Sequence, residues 1–323
     1  LWTNDEGEVH TVPQGEGCEQ GDPLSPALFS LGLHDALWKA RAELHKEDLL
    51  VAYLDDVYVL TTRARAKTAF DVVQKWIQLD AGIRTHLGKT QCWAKAGGEA
   101  PPRIAELNSR EPDSEPVWKG DLPVAKNGMM VLGSPLGSKE YVTAQGQKRL
   151  QEEKKLLDML PDLPDVQCAW LLLYFSAVPR ANHLLRTVPP TQANSYAEAR
   201  DEAVWRTLLA LLDKKPEEEL LSLRKERAQL PCRLGGLGLR CAARTSLAAY
   251  WASWADVLPT VRERFPELAT ALTEELETST THRTCLREVL AAATKLREEG
   301  FEVPSYVALA EKSAQPQRSS KTC

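Results

Sequence analysis

No stretch of this sequence is apolar enough to cross a bilayer. The longest apolar run, Ala169 to Val178, falls well short of the roughly 20 residues that a membrane-spanning helix needs, so it reads as a buried helix and no membrane partner is expected. No charged-then-apolar leader precedes the first motif, and the first residue is Leu1 rather than Met, so the natural start is expected to lie upstream. The seven cysteines, at 18, 92, 168, 232, 241, 285 and 323, are odd in number and never spaced as CxxC. That argues against a disulfide framework and for reduced thiols in an intracellular compartment, nuclear or cytoplasmic. His282 and Cys285 make an HxxC pair, two ligands where a structural zinc site takes four. An excess of positive charge is also missing: the net charge is −5, which by itself counts against a nucleic-acid partner. Cations are nonetheless grouped, Lys139, Lys148, Arg149, Lys154 and Lys155 in one segment and Arg224, Lys225, Arg227 and Arg233 in another. Each group has acidic neighbours, so a phosphate-binding surface and a solvated helix face are about equally supported.

What is present suffices for two domains of ordinary size: 323 residues, 43% of them hydrophobic. Residues 15–26 form a polar, glycine-containing loop ending in Ser25-Pro26, where Ser can cap a helix and Pro can occupy its first turn. Phe29, Leu33, Ala36, Leu37, Ala40 and Leu44 then recur at helical spacing to about His45. The period changes at Leu49 to Leu54, an apolar run interrupted by Asp55-Asp56 and followed by the β-prone Val57 to Thr61, which predicts a hairpin with two acids at its tip. A second helix follows through Ala66, Ala69, Phe70, Val73, Trp76 and Ile77, closed by Gly82. A strand is expected at Ile83 to Leu87. Residues 94–128 are rich in Pro, Gly, Glu and Ser without a sustained period and read as an irregular insertion adding little to the core. Thereafter the pattern is helical, over Val142 to Leu160, Val166 to Val178, Tyr196 to Leu212 and Glu217 to Ala228. Further helices follow the glycine-rich turn at 235–238, and the tail from Ser313 reads as disordered.

Tandem carboxylates on a hairpin tip are hard oxygen donors on a rigid support, suited to divalent cations; in isolation such a pair is more often a solvated turn. Gln20 offers an amide and Gly21 lets backbone approach a sugar or base, although a helix-entry loop explains both. Lys89 could neutralise or protonate a departing pyrophosphate, or be a surface lysine after a turn. Gly88-Lys89-Thr90 would fit a phosphate-binding P-loop only with glycine at 83, where Ile83 stands. Gly133, Pro135 and Gly137 fit a tight hairpin whose backbone can lie against a strand, or an ordinary turn. Tyr53 fits a hairpin floor or plain strand packing.

These segments occur in an order that resembles the reverse transcriptases, especially those of non-LTR retrotransposons and their group II intron relatives, over roughly residues 14–250. Gln14-Gly15 through Ser25-Pro26 and Leu28-Phe29 is similar to the family's QG…SP…LF segment, Tyr53-Leu54-Asp55-Asp56 to its YxDD metal hairpin, and Gly88-Lys89-Thr90 to its downstream lysine motif. Val131 to Gly137 resembles the primer-grip turn, and Leu230 to Arg240 a post-thumb element of non-LTR enzymes. The resemblance implies an α+β fold: a partial polymerase palm, an antiparallel sheet with packed helices, at 1–93, then an irregular insertion at 94–128 and a primer-grip-like hairpin at 129–141. A mainly helical thumb at 142–230, a helical C-terminal region at 231–312 and a disordered tail at 313–323 would follow. It implies RNA-directed DNA polymerisation with two Mg2+ ions, or Mn2+, on Asp55 and Asp56, with Lys89 also catalytic. Gln20, Gly21, Ser25 and Tyr53 would contact nucleotide or template, and Leu132, Gly133, Pro135 and Gly137 the primer. Expected partners are an RNA template, a DNA primer, dNTPs, and the fingers and remaining palm of a longer protein. The family's third metal-binding aspartate lies upstream of the Gln-Gly segment, so the chain as it stands is expected not to polymerise. A remnant that keeps the fold and binds RNA without catalysis is the competing expectation.

Overall fold

A computed structural model describes residues 2–3, 5–11, 21–109, 114–212 and 221–311. The chain forms two compact units, Leu1–Asp121 and Leu122–Cys323. The segment 12–20 with Gln20, the first residues of the helix expected from Glu217 and the tail from Ser313 lie outside the described residues.

In the first unit a short ribbon, β1 (Trp2–Thr3) and β2 (Val9–His10), precedes α1 (Ser25–Glu43), the hairpin of β3 (Leu49–Tyr53) and β4 (Asp56–Leu60), and α2 (Ala66–Ala81). Leu33, Ala36, Ala40 and Leu44 from α1 meet Ala69, Val72, Val73 and Ile77 from α2, and Leu50, Val57 and Val59 close this core from one face of the hairpin. Pro26 sits in the first turn of α1 as expected, but Ser25 is already helical and Leu24 is the cap residue, without a side-chain bond. The cap falls to the preceding turn instead, where the Asp22 carboxylate accepts the Leu24 N–H at 2.9 Å. Gly82 ends α2 with φ of 67°, a conformation that glycine adopts without steric cost.

Two expectations need correction here. Residues 83–87 form no strand; the chain runs irregularly into one 3-10 turn at Leu87–Lys89, because a β-prone run without a partner ladder leaves its backbone groups to other bonds. Residues 94–128 do add to the core: Ile104, Leu107, Val117 and Trp118 are buried against Phe70, Leu87 and Cys92. Trp118 lies flat over Gly120, donates its indole N–H to the Gly98 carbonyl at 2.9 Å and receives the Arg63 guanidinium 5.1 Å from its ring centre.

The second unit opens with a ribbon, β5 (Gly128–Val131) and β6 (Ser134–Gly137), and is otherwise helical: α3 (Lys139–Met159), α4 (Val166–Leu172), α5 (Asn182–Thr187), α6 (Pro190–Leu211), α7 (Leu221–Gln229), α8 (Ala242–Arg264), α9 (Pro266–Glu277), α10 (Thr284–Glu298) and α11 (Tyr306–Glu311). The continuous helix expected at 166–178 is broken by a π-turn at Leu173–Ala177 and a 3-10 turn at Val178–Ala181 containing Pro179, whose ring cannot continue a regular helix. Buried Arg200 from α6 donates to the carbonyl of Ala177, the last residue of the π-turn. Arg200 also donates to Glu153 of α3 at 2.8 Å, while Tyr196 donates its hydroxyl to the same carboxylate and Arg149 reaches it at 3.1 Å. The described residues thus form three two-stranded antiparallel sheets among helices, an α+β arrangement. Among them no helix is long and apolar enough to cross a membrane.

Candidate active site

The β3–β4 register pairs Leu50 with Val59, Ala52 with Val57 and Tyr53 with Asp56, leaving Leu54 and Asp55 as a two-residue turn. Directly opposed residues share a face and faces alternate along each strand. Leu50, Val57 and Val59 therefore lie on the helices, while Val51, Tyr53, Tyr58 and Asp56 point the other way; Val51 is 39% and Tyr53 61% exposed. Packing of the apolar side thus aims Asp56 away from the core, and the turn leaves Asp55 exposed beside it. Tyr58, two residues along the same face, donates its hydroxyl to Asp56 Oδ2 at 3.3 Å. Leu54 carries φ of 53°, the left-handed conformation that a two-residue hairpin demands and that a branched side chain resists.

By donor chemistry this pair fits hard divalent cations: two adjacent, uncovered carboxylates on a hairpin held by its packed face. It is two ligands of a larger set, since no cluster of three or more His, Cys, Asp or Glu side chains able to hold a metal ion occurs among the described residues. Lys89, on the 3-10 turn, is exposed and makes no ion pair among the described residues. Gly21 has φ of 102° and open space where a side chain would stand, so it holds a backbone conformation at the entrance of α1 that other residues rarely adopt. Ser25 occupies the first turn of that helix; Gln20 lies outside the described residues.

The second unit contains the other expected element. Leu132 and Gly133 join β5 to β6 with φ of 47° and 76°, both positive as a type I′ turn requires. His183 Nε2 lies 3.0 Å from the Leu132 carbonyl and 3.1 Å from Ser134 Oγ, and Ser134 donates to Thr187 Oγ1 at 2.8 Å, which fastens the turn to α5. Gly128 and Gly137 are cross-strand partners under the Tyr141 ring; a Cβ on Gly137 would come 2.7 Å from that ring. Pro135 is buried in β6 opposite Met130. A cleft of about 440 Å³ borders this ribbon, lined by Met130, Gly133, Pro135, Lys148, Arg149 and Arg180 among others. Arg149 is committed to Glu153 and to the Arg180 carbonyl, but Lys148 and Arg180 make no ion pair among the described residues. His183 and Thr187 carry no signal in the sequence because they stand about 50 residues from the ribbon they fasten. Tyr58 was recoverable from strand alternation alone.

Residues 2–135 match the family model described as reverse transcriptase (RNA-dependent DNA polymerase). The match takes in the β3–β4 tip, Lys89 and the β5–β6 turn as far as Pro135. It supports a reverse-transcriptase domain, of a family that joins nucleotides on a nucleic-acid template and primer and generally uses divalent metals. No curated protein and no solved structure matches the chain.

Proposed function

We propose that this chain is the later palm, primer-grip ribbon and helical thumb of a non-LTR-type retroelement reverse transcriptase, related to the group II intron enzymes. The observation that carries the reading is the β3–β4 tip, where packing of one hairpin face on α1 and α2 turns Asp56 outward beside the exposed Asp55. These two side chains would hold the family's divalent cations, Mg2+ or Mn2+, together with a carboxylate from outside the described residues. Held there, divalent cations would supply activation of a primer 3′-hydroxyl and charge to hold the triphosphate. Tyr58 donates its hydroxyl to the Asp56 carboxylate and so favours one of its orientations. Lys89 supplies positive charge and a proton for departing pyrophosphate. Gln20, Gly21, Ser25 and Tyr53 would contact nucleotide or template. Leu132, Gly133, Pro135 and Gly137 form a ribbon for the primer strand.

The test is primer extension on an RNA template with dNTPs and Mg2+, using a longer protein that carries this chain together with an upstream aspartate strand. Asp55→Asn and Asp56→Asn should each lower the rate by on the order of 10²–10³-fold, the size of effect seen when one preorganised electrostatic contact to a transition state is removed. Equal extension by wild type and Asp55→Asn sinks the assignment of that carboxylate. No extension by wild type, with RNA still bound, identifies a remnant that kept the fold and lost the chemistry.

A further inference from the structure

The turn between β5 and β6 is held by a circuit of hydrogen bonds whose direction follows from the proton each group has to give. Thr187 donates its hydroxyl to the His183 carbonyl, one helical turn earlier, at 2.9 Å, so its oxygen has lone pairs but no proton for Ser134. Ser134 is therefore the donor of the 2.8 Å bond to Thr187, which leaves the Ser134 oxygen free to accept. The Leu132 carbonyl can only accept. His183 Nε2 faces both, 3.0 Å from the carbonyl and 3.1 Å from the hydroxyl, and satisfies them only when Nε2 carries the proton. A serine beside a histidine also suggests a nucleophile and its base. Here the serine proton is spent on Thr187 and the facing ring nitrogen has no lone pair to take it, which rules that chemistry out.

The circuit acts on the strained residue of the turn. Leu132 has φ of 47°, a left-handed conformation that a branched side chain resists, and its side chain is 43% exposed, so burial does little to hold it. Such strain persists only where the surroundings over-determine the backbone. His183 grips the carbonyl of Leu132 and the side chain of Ser134, and its ring lies against the residue between them, since a Cβ on Gly133 would stand 3.5 Å from Nε2. One imidazole thus touches residues 132, 133 and 134. The helix that carries it is itself anchored: Leu184 and Leu185 of α5 are buried in a core with Val188 and Tyr196, and Ser253 of α8 donates to the Arg186 carbonyl at 2.6 Å.

We infer that His183 is a positioning residue: its Nε2 proton, shared between Leu132 and Ser134, clamps the tip of the β5–β6 ribbon to helix α5. This role rests on the reading of that ribbon as the support of the primer strand. A tip fixed from α5 fixes where the primer end lies, and a misplacement of about 1 Å at a reacting centre can cost about 10²-fold in rate.

Two measurements separate the clamp from the reading it rests on. Long-range proton–nitrogen NMR of the complete 323-residue chain at alkaline pH, with the His183 signal identified by its loss in His183→Gln, should show the neutral ring protonated at Nε2; a ring protonated at Nδ1 overturns the clamp. Primer extension by the longer protein that carries this chain then tests the role. The readout is the single-turnover rate constant at saturating dNTP, which a partly unfolded sample does not change because it loses only amplitude. His183→Leu should lower that constant by about 10- to 10²-fold. His183→Gln, whose amide nitrogen can stand where Nε2 stands and donate the same bonds, should restore it to within about 3-fold of wild type. Ser253→Ala takes a bond from α5 without touching the turn and should leave the constant unchanged. A His183→Leu rate equal to wild type, no rescue by glutamine, or an equal loss from Ser253→Ala each overturns the positioning role. No extension by wild type defeats the polymerase reading and the role that rests on it, and is told apart from failure of the clamp by the NMR result.

Discussion

At the scale of single residues, two turns carry side chains in a conformation that costs an ordinary L-residue about 1–2 kcal/mol. Leu54 bears this strain at the hairpin tip and Leu132 in the second ribbon, where the adjoining Gly133 avoids it. Leu54→Gly removes the strain but frees the unfolded chain, an opposing effect of about 0.4–1 kcal/mol. The expected net result is a stability gain of up to about 1 kcal/mol in urea unfolding. Gly133→Ala should cost about 1–2 kcal/mol, and by conformation rather than collision, because the nearest atom to an added Cβ is 3.5 Å away. Asp48 offers a pH-dependent test. Burial pushes its carboxyl up, but the Arg65 guanidinium, bonded at 2.8 Å, outweighs this and holds it below the usual carboxylate range. Its contribution is therefore complete above the unfolded value and is lost as pH falls through the lower folded value. The loss of stability on acidification should consequently be shallower in Arg65→Met than in wild type, by urea unfolding across pH 2–5 as a rough window.

At the scale of elements, the cluster of Glu153, Arg149, Tyr196 and Arg200 ties α3 and α6 to the Ala177 carbonyl at the end of the π-turn. Glu153→Gln leaves Arg200 buried against a neutral amide and should cost about 3–5 kcal/mol, the usual effect of breaking a buried pair. The double replacement Glu153→Leu, Arg200→Met should recover much of that loss, since neither charge then remains; a loss equal to or above the single variant's would show that the network gives more than it costs to desolvate. Burial beside Glu153 raises the Tyr196 phenol, so that it stays a donor throughout the physiological range. None of this was legible in the sequence, where Glu153 and Arg200 are two charges on two amphipathic helices, 47 residues apart. The hairpin and α2 were legible, because Leu50, Val57, Val59 and Val73, Ile77 follow the strand and helix periods and Gly82 marks a stop. The strand read at 83–87 failed because local β preference is decided by partners. The Trp118 core was missed because Ile104, Leu107 and Val117 follow no period and meet through irregular backbone. The carboxylate tip was readable as a motif, but its direction had to come from the packing of the opposite hairpin face.

At the scale of the whole molecule, each unit has cores of its own, among the described residues two in 1–121 and three in 122–323. Residues 122–323 expressed alone should therefore unfold in a cooperative thermal transition, measured by calorimetry. A gradual melt would mean that the helical unit needs the first for its stability. The β3–β4 ribbon has a further consequence for handling the protein. Among the described residues no third strand joins either outer rim, and Val51, Tyr53 and Leu60 lie uncovered beside it. Such a rim is a template on which another chain can add. Concentrated solutions should drift toward rim-to-rim assemblies, and a lysine in place of Val51 should keep the protein dispersed without disturbing the helices on the other side.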